Sequence, residues 1–268
     1  MTKHNLADFS WQEAAEVRSR NPLVLIPFGT TEQNGTQNPL STDTKIASYF
    51  ARRVAEESGN LYLPPVPYGY SAAFRNFPGT VWLQPDTLRR VVEDVLSSLL
   101  HNGFNRLLIV NNHGPNEPMM EHAIRTVQDR YPDALIPLVW PAKILKQMLE
   151  GILPPGTKTG HGSEPTTSLM LAIDAASVSL PRAKADTLAP AGPFKISNSW
   201  TGHYKGAAFG LYTDIDWLSS SGIGGSPEGA SAERGQTILD RLTAWGLDFV
   251  ASLKDLDPSA LRKNRLES

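Results

Sequence analysis

The residues able to do chemistry in this chain sit in three polar segments. Glu32 and Asp43 lie in a long loop after the apolar run Leu23, Val24, Leu25, Ile26. His113 belongs to Asn111-Asn112-His113-Gly114, directly after the apolar run Leu107, Leu108, Ile109, Val110. His161 and Glu164 frame His161-Gly162-Ser163-Glu164. Carboxylate and imidazole together suit zinc-like divalent ions. Cysteine is absent, which excludes disulfides, thiolate ligands and a thiol nucleophile. Any ion must then be held by Asp, Glu, His, amide oxygen or water. A divalent ion polarises a carbonyl and lowers the pKa of water, and a neighbouring His or Glu moves protons to the leaving atom.

Taken singly, each of these residues has an ordinary reading. Asp43 reads as a helix N-cap, Glu32 as a solvated loop carboxylate, and His113 as a hydrogen-bonded turn residue. His161 and Glu164 read as caps of the helix that follows them. What makes the set more than the sum is position, because the first three follow the ends of apolar runs that a parallel sheet would bring together, and ligands of open α/β sheets bind outside the carboxyl ends of the strands.

The elements that must do this positioning are legible from periodicity. Ser10 with Glu13 is a capping-box pattern that predicts a helix over Trp11–Arg18. The loop joining residues 28–43 is about 15 residues where α/β connections take about 2–6, and such loops are usually functional. Thr42 or Asp43 is expected to cap a helix in which Ile46, Ala47, Phe50 and Val54 share one face up to Gly59. Residues 61–63 form a short strand closed by two prolines. Leu88, Val91, Val92, Val95, Leu96, Leu99 and Leu100 mark the clearest helix, which Gly103 ends. A strand over 106–110 and a helix over 117–131 then make a βα unit, which implies a parallel sheet. Residues 135–140 are a third strand candidate, 142–149 a short helix, and Ile238, Leu242, Trp245, Phe249 and Leu253 the face of a last helix. Residues 178–222 show weak periodicity and receive no assignment. The whole is one α/β domain over 1–268, with an N-terminal helical segment in 1–20 and a frayed charged tail over 258–268.

Composition narrows the partners. Of 268 residues 40% are hydrophobic, enough for one large core. With 25 basic and 27 acidic residues and no basic face, nucleic acid is not an expected partner. No apolar signal region opens the chain and no run of about 18 apolar residues occurs. The expectation is a cytoplasmic protein without membrane contact.

Glu32-Gln33-Asn34-Gly35 followed by Pro39-Leu40-Ser41-Thr42-Asp43 resembles the signature of the creatininase (creatinine amidohydrolase) family, Glu-x-His-Gly-x-His-Leu-Pro-x-x-Thr-Asp. Phe77-Pro78-Gly79-Thr80, Asn111-Asn112-His113-Gly114, the segment from His161 through Ser168-Leu169-Met170-Leu171, and Gly222 through Pro227 to Gly235 resemble further blocks in the family's order. The resemblance implies a three-layer α/β/α fold with a mainly parallel sheet. It further implies a metal-dependent hydrolase of small cyclic amides and a homo-oligomer. In the family one ion is held at the positions of Glu32, Asp43 and His113, and His161 stands at the catalytic histidine.

Several positions depart from that pattern. Asn34 and Gln37 replace histidines of the first block, Phe74 stands where a histidine is often found, and Thr166 replaces a glutamate of the third block. Asn34 and the later carboxylate would serve the second ion, and an amide oxygen is a poorer ligand than imidazole for zinc-like ions. The expectation is therefore one divalent ion (Zn, Mn or Fe) per chain on Glu32, Asp43 and His113, with His161 and Glu164 moving protons or Glu164 substituting as a ligand. Asn34, Gln37, Asn38, Phe74 and Asn112 are expected to contact a small-molecule substrate, most directly a lactam. A cyclic ketone, or a relative that has lost hydrolysis and serves in binding or assembly, is the alternative.

Overall fold

The structure is a computed structural model describing residues 3–256. Its centre is a parallel sheet of β1 (Val24–Phe28), β2 (Leu61–Tyr62), β3 (Leu107–Asn111) and β4 (Leu138–Val139), in the spatial order β2-β1-β3-β4. Every residue of β1 and β3 is buried, as expected for strands covered on both faces. They run level, Val24 beside Leu107 through Phe28 beside Asn111. The loops leaving their carboxyl ends therefore start side by side.

Alternation along these strands sorts side chains into two layers. Val24, Ile26, Phe28, Leu107 and Ile109 face one side, and Leu25, Leu108 and Val110 the other. The described residues form seven α-helices: α1 (Trp11–Arg18), α2 (Thr42–Ser58), α3 (Pro85–His101), α4 (Glu117–Arg130), α5 (Pro141–Leu145), α6 (Thr166–Asp174) and α7 (Ala232–Lys254). Leu88, Val92 and Leu96 of α3 and Met120, Ala123 and Val127 of α4 cover the first side. Ile46, Phe50 and Val54 of α2, Leu169 and Met170 of α6, and Ile238 and Leu242 of α7 cover the second. Each of these side chains larger than alanine contributes about 1.5–3 kcal/mol by leaving water. This is the expected three-layer α/β/α arrangement. Helices α6 and α7 approach so closely that a Cβ on Gly235 would lie 1.9 Å from the Ser168 carbonyl oxygen.

The capping box of α1 forms as read, Ser10 accepting from the Glu13 N–H and Glu13 from the Ser10 N–H. Three readings change. The N-cap of α2 is Ser41, which makes no side-chain cap bond, and Thr42 and Asp43 lie inside the first turn. Asp43 is drawn away from capping by stronger partners described below. The helix expected over 142–149 is only the five residues of α5, begun by Pro141, whose fixed φ suits that position. The unassigned 178–222 region contains a small antiparallel sheet of β5 (Lys195–Asn198), β6 (Thr201–Tyr204) and β7 (Ala207–Gly210). The tail over 258–268 lies outside the described residues. No helix among the described residues is long and apolar enough to cross a membrane.

Candidate metal centre

The loop after β1 carries Glu32 and delivers Asp43 into the first turn of α2, and His113 follows β3 by two residues. His113 Nδ1 lies 3.3 Å from Glu32 Oε1 and 3.4 Å from Asp43 Oδ2. One ligand atom from each residue falls within 4.8 Å of the others, and all three residues are buried. Asp43 is aimed by two donors, Thr30 Oγ1 to Oδ2 at 2.9 Å and Asn112 Nδ2 to Oδ1 at 3.0 Å. His113 Nε2 is 3.0 Å from the Tyr70 carbonyl oxygen, so that ring N–H donates there and Nδ1 is the nitrogen turned to the carboxylates. That carbonyl is itself positioned, because the Tyr70 N–H donates to Asn116 Oδ1 at 2.8 Å. Asn116 Nδ2 in turn donates to Asn111 Oδ1, and Asn111 Nδ2 to the His113 carbonyl.

Two features show that this donor set suits a cation. Glu32 is completely buried and neither of its carboxylate oxygens has a hydrogen-bond partner. A carboxylate taken out of water without such partners is costly unless a positive charge compensates it. The second feature is the ring opposite. Burial opposes a charge on His113, but the negative field of Glu32 and the contacts with Asp43 and Glu32 outweigh it and push the ring up to about 10. Burial likewise works against the charge on Asp43, yet His113, the charge of His161 and the Thr30 hydroxyl hold its carboxyl below the usual range. The pocket thus retains positive charge at neutral pH, in the form of a proton lying where Nδ1 would meet an ion. Two carboxylates and one imidazole are donors such an ion accepts.

Above this centre opens a cavity of about 610 Å³, lined in part by Asn34, Asp43, Phe74, Asn112, His113 and His161. His161 Nε2 lies 2.8 Å from the Gln33 carbonyl oxygen, and the imidazole stacks on Phe74 with centroids 4.4 Å apart and planes 21° apart. Asn34 Nδ2 and Asn112 Oδ1 are buried without partners.

Three expected site residues point elsewhere. Gln37 Nε2 donates to the Gly162 carbonyl at 2.5 Å and to Thr167 Oγ1 at 3.0 Å, and Asn38 Nδ2 donates to the same hydroxyl at 3.1 Å. Glu164, fully buried, accepts from Ser168 Oγ at 2.8 Å and pairs with Arg234 at 2.5 Å. Gln37 and Glu164 bind the loop of residues 160–165 to its surroundings, and Gln37 and Asn38 bind the first turn of α6 through Thr167. Sequence reading missed Thr30, Tyr70, Asn111, Asn116 and Arg234. The two asparagines before His113 were the one available signal.

A family model described as creatinine amidohydrolase matches residues 7–250. The chain belongs to the creatininase family. It is 28% identical over 253 residues to the creatinine amidohydrolase of Pseudomonas putida, covering 88% of this chain and 91% of that one. It is also 28% identical over 239 residues to the mycofactocin precursor peptide peptidase of Mycobacterium tuberculosis (strain ATCC 25618 / H37Rv), covering 84% and 83%. Among solved structures, a mutant creatininase of the Zn-Zn type superposes with a TM-score of 0.78 at 25% identity, covering 94% of this chain and 98% of that one. This creatininase-family chain is a hydrolase of the metal-dependent amidohydrolase type.

Proposed function

We propose that this protein hydrolyses the C–N bond of a small cyclic amide, using one divalent ion held by Glu32, Asp43 and His113. The observation that carries the reading is the fully buried Glu32 carboxylate, without hydrogen bonds and 3.3 Å from an imidazole nitrogen whose partner nitrogen is already committed. A bound ion would supply Lewis acidity, polarising the scissile carbonyl and making water a competent nucleophile near neutral pH.

The chain's own residues supply the remainder. His161 donates its Nε2 proton to the Gln33 carbonyl, which leaves Nδ1 as the nitrogen available to act as base. It takes a proton from the attacking water and returns it to the leaving nitrogen. Phe74 holds the plane of that ring through the stack. Asn34 and Asn112 present amides to the substrate from the cavity wall. Glu164, with Arg234, acts by holding the loop that carries His161, and Gln37 and Asn38 act in the same way through Gly162 and Thr167. A single ion is favoured because Asn34, Pro115 and Thr166 stand where donors for a second would be needed.

Metal analysis tests the reading. Purified protein is expected to hold about one equivalent of Zn, Mn or Fe per chain. Glu32→Gln and His113→Ala should lose the ion and the hydrolysis of an amide and lactam panel while keeping native circular dichroism. No bound ion under metal-replete conditions, or full activity in Glu32→Gln, overturns it.

A further inference from the structure

The cavity above the metal centre is too large, and its charges too far apart in kind, for a bare five-membered ring. Liquid water takes about 30 Å³ per molecule, so about 610 Å³ accommodates roughly 20 non-hydrogen atoms. A single small ring fills less than half of that. Besides Asp43 and His113 the wall carries apolar and aromatic residues, Trp140, Leu145, Leu149, Leu188 and Trp200, together with polar ones such as Asn198. Trp140 is fixed against the turn after His113: a Cβ on Gly114 would lie 2.5 Å from the indole ring, so only glycine lets the ring close over that turn.

At the exposed rim of the same wall stand Lys143 and Lys146, three residues apart and hence on one face of the helical segment. Lys143 lies over the Trp140 ring, 5.9 Å from its centroid, and 3.4 Å from half-buried Glu117. Lys146 has no ion-pair partner among the described residues. Asp43, at the metal end, is the sole carboxylate among the lining residues. The backbone after Lys146 is anchored by Arg241, which donates to the carbonyls of Met148 and Glu150. The cavity lining thus combines donors for an ion, apolar aromatic surface and two exposed lysines.

We infer that the substrate is an amphipathic anion: an amide whose scissile bond reaches the metal centre, whose apolar body lies against Trp140 and Trp200, and whose carboxylate or equivalent anion meets Lys146 and Lys143. This rests on the hydrolase reading above and adds the substrate class to it.

The test compares three probes on the metal-loaded protein: N-benzoylglycine, its neutral amide N-benzoylglycinamide, and creatinine. Binding is followed by tryptophan fluorescence, since two of the wall residues are indoles. N-benzoylglycine is expected to bind about tenfold tighter than its neutral amide, and both tighter than creatinine. The preference should shrink as salt is raised. Lys143→Ala/Lys146→Ala should abolish it, the two benzoyl probes then binding alike. Equal affinities for the two benzoyl probes, or tighter binding of creatinine, overturn the proposal. So does a preference that survives the double lysine variant, because the carboxylate is then held by the ion. A protein that takes up no metal sinks the hydrolase reading itself; one that holds an ion and cleaves lactams without favouring the anion sinks this inference alone.

Discussion

Loading the metal-free protein with zinc at pH 7.5 must expel a proton. His113 faces two carboxylates that push its ring up to about 10, so at that pH all but about one molecule in 300 carries imidazolium. Imidazolium has no lone pair at Nδ1, and the ion can bind only as the proton leaves. Displacing it across about 2.5 pH units costs about 3 kcal/mol, which weakens apparent affinity about 300-fold relative to pH above 10. Between pH 7 and 9 the logarithm of the apparent affinity should rise by about one per pH unit. Isothermal titration in buffers of differing ionisation enthalpy reads this directly, with about one proton released per ion at pH 7.5. A release near zero together with pH-independent affinity would refute the geometry of the centre. The same ring also stabilises the metal-free fold. Because its folded pKa lies above the unfolded value of about 6.5, that stabilisation is complete below about pH 6.5 and is lost as pH rises toward about 10. Thermal melts of stripped protein across that range should show the decline.

Three substitutions follow from the contacts around the centre. Asn112→Ala removes the donor to Asp43 Oδ1, and competition with a chelator should show metal affinity reduced about 10–100-fold. Phe74→Leu keeps an apolar side chain but loses the stack on His161; kcat on a cleaved amide should fall about 3–10-fold with metal content unchanged. Arg234→Met leaves Glu164 buried and unpaired, which should cost about 3–5 kcal/mol in denaturant unfolding, and adding Glu164→Gln should recover part of the loss.

The central strands and the long helices were legible because hydrophobic period alone specifies them. Leu88 through Leu100 has one placement as a helix, and the runs ending at Ile26 and Val110 have one as buried strands. The Glu32, Asp43 and His113 cluster was legible through position, since level strands place their following loops together. The small sheet over 195–210 was not, because its strands are four residues long and half exposed, too short to display alternation. Gln37 and Asn38 were read as substrate contacts, whereas their side chains point into Gly162 and Thr167. An amide that braces a loop and one that greets a ligand are the same residue type, and only the fold distinguishes them. Arg234 escaped because its partner Glu164 lies 70 residues away.

The level pairing of β1 with β3 has a consequence for how the protein tolerates losing its ion. Glu32 and His113 follow, by four and two residues, strands joined by their own ladder of amide bonds in the middle of the sheet, so the donor arrangement that the proposed site needs is held without a cation. Chelation should leave a standing, reloadable vessel, unlike small zinc-organised domains that come apart when stripped. Substitutions in the loops over the opening can then retune what is cleaved without unmaking the seat beneath.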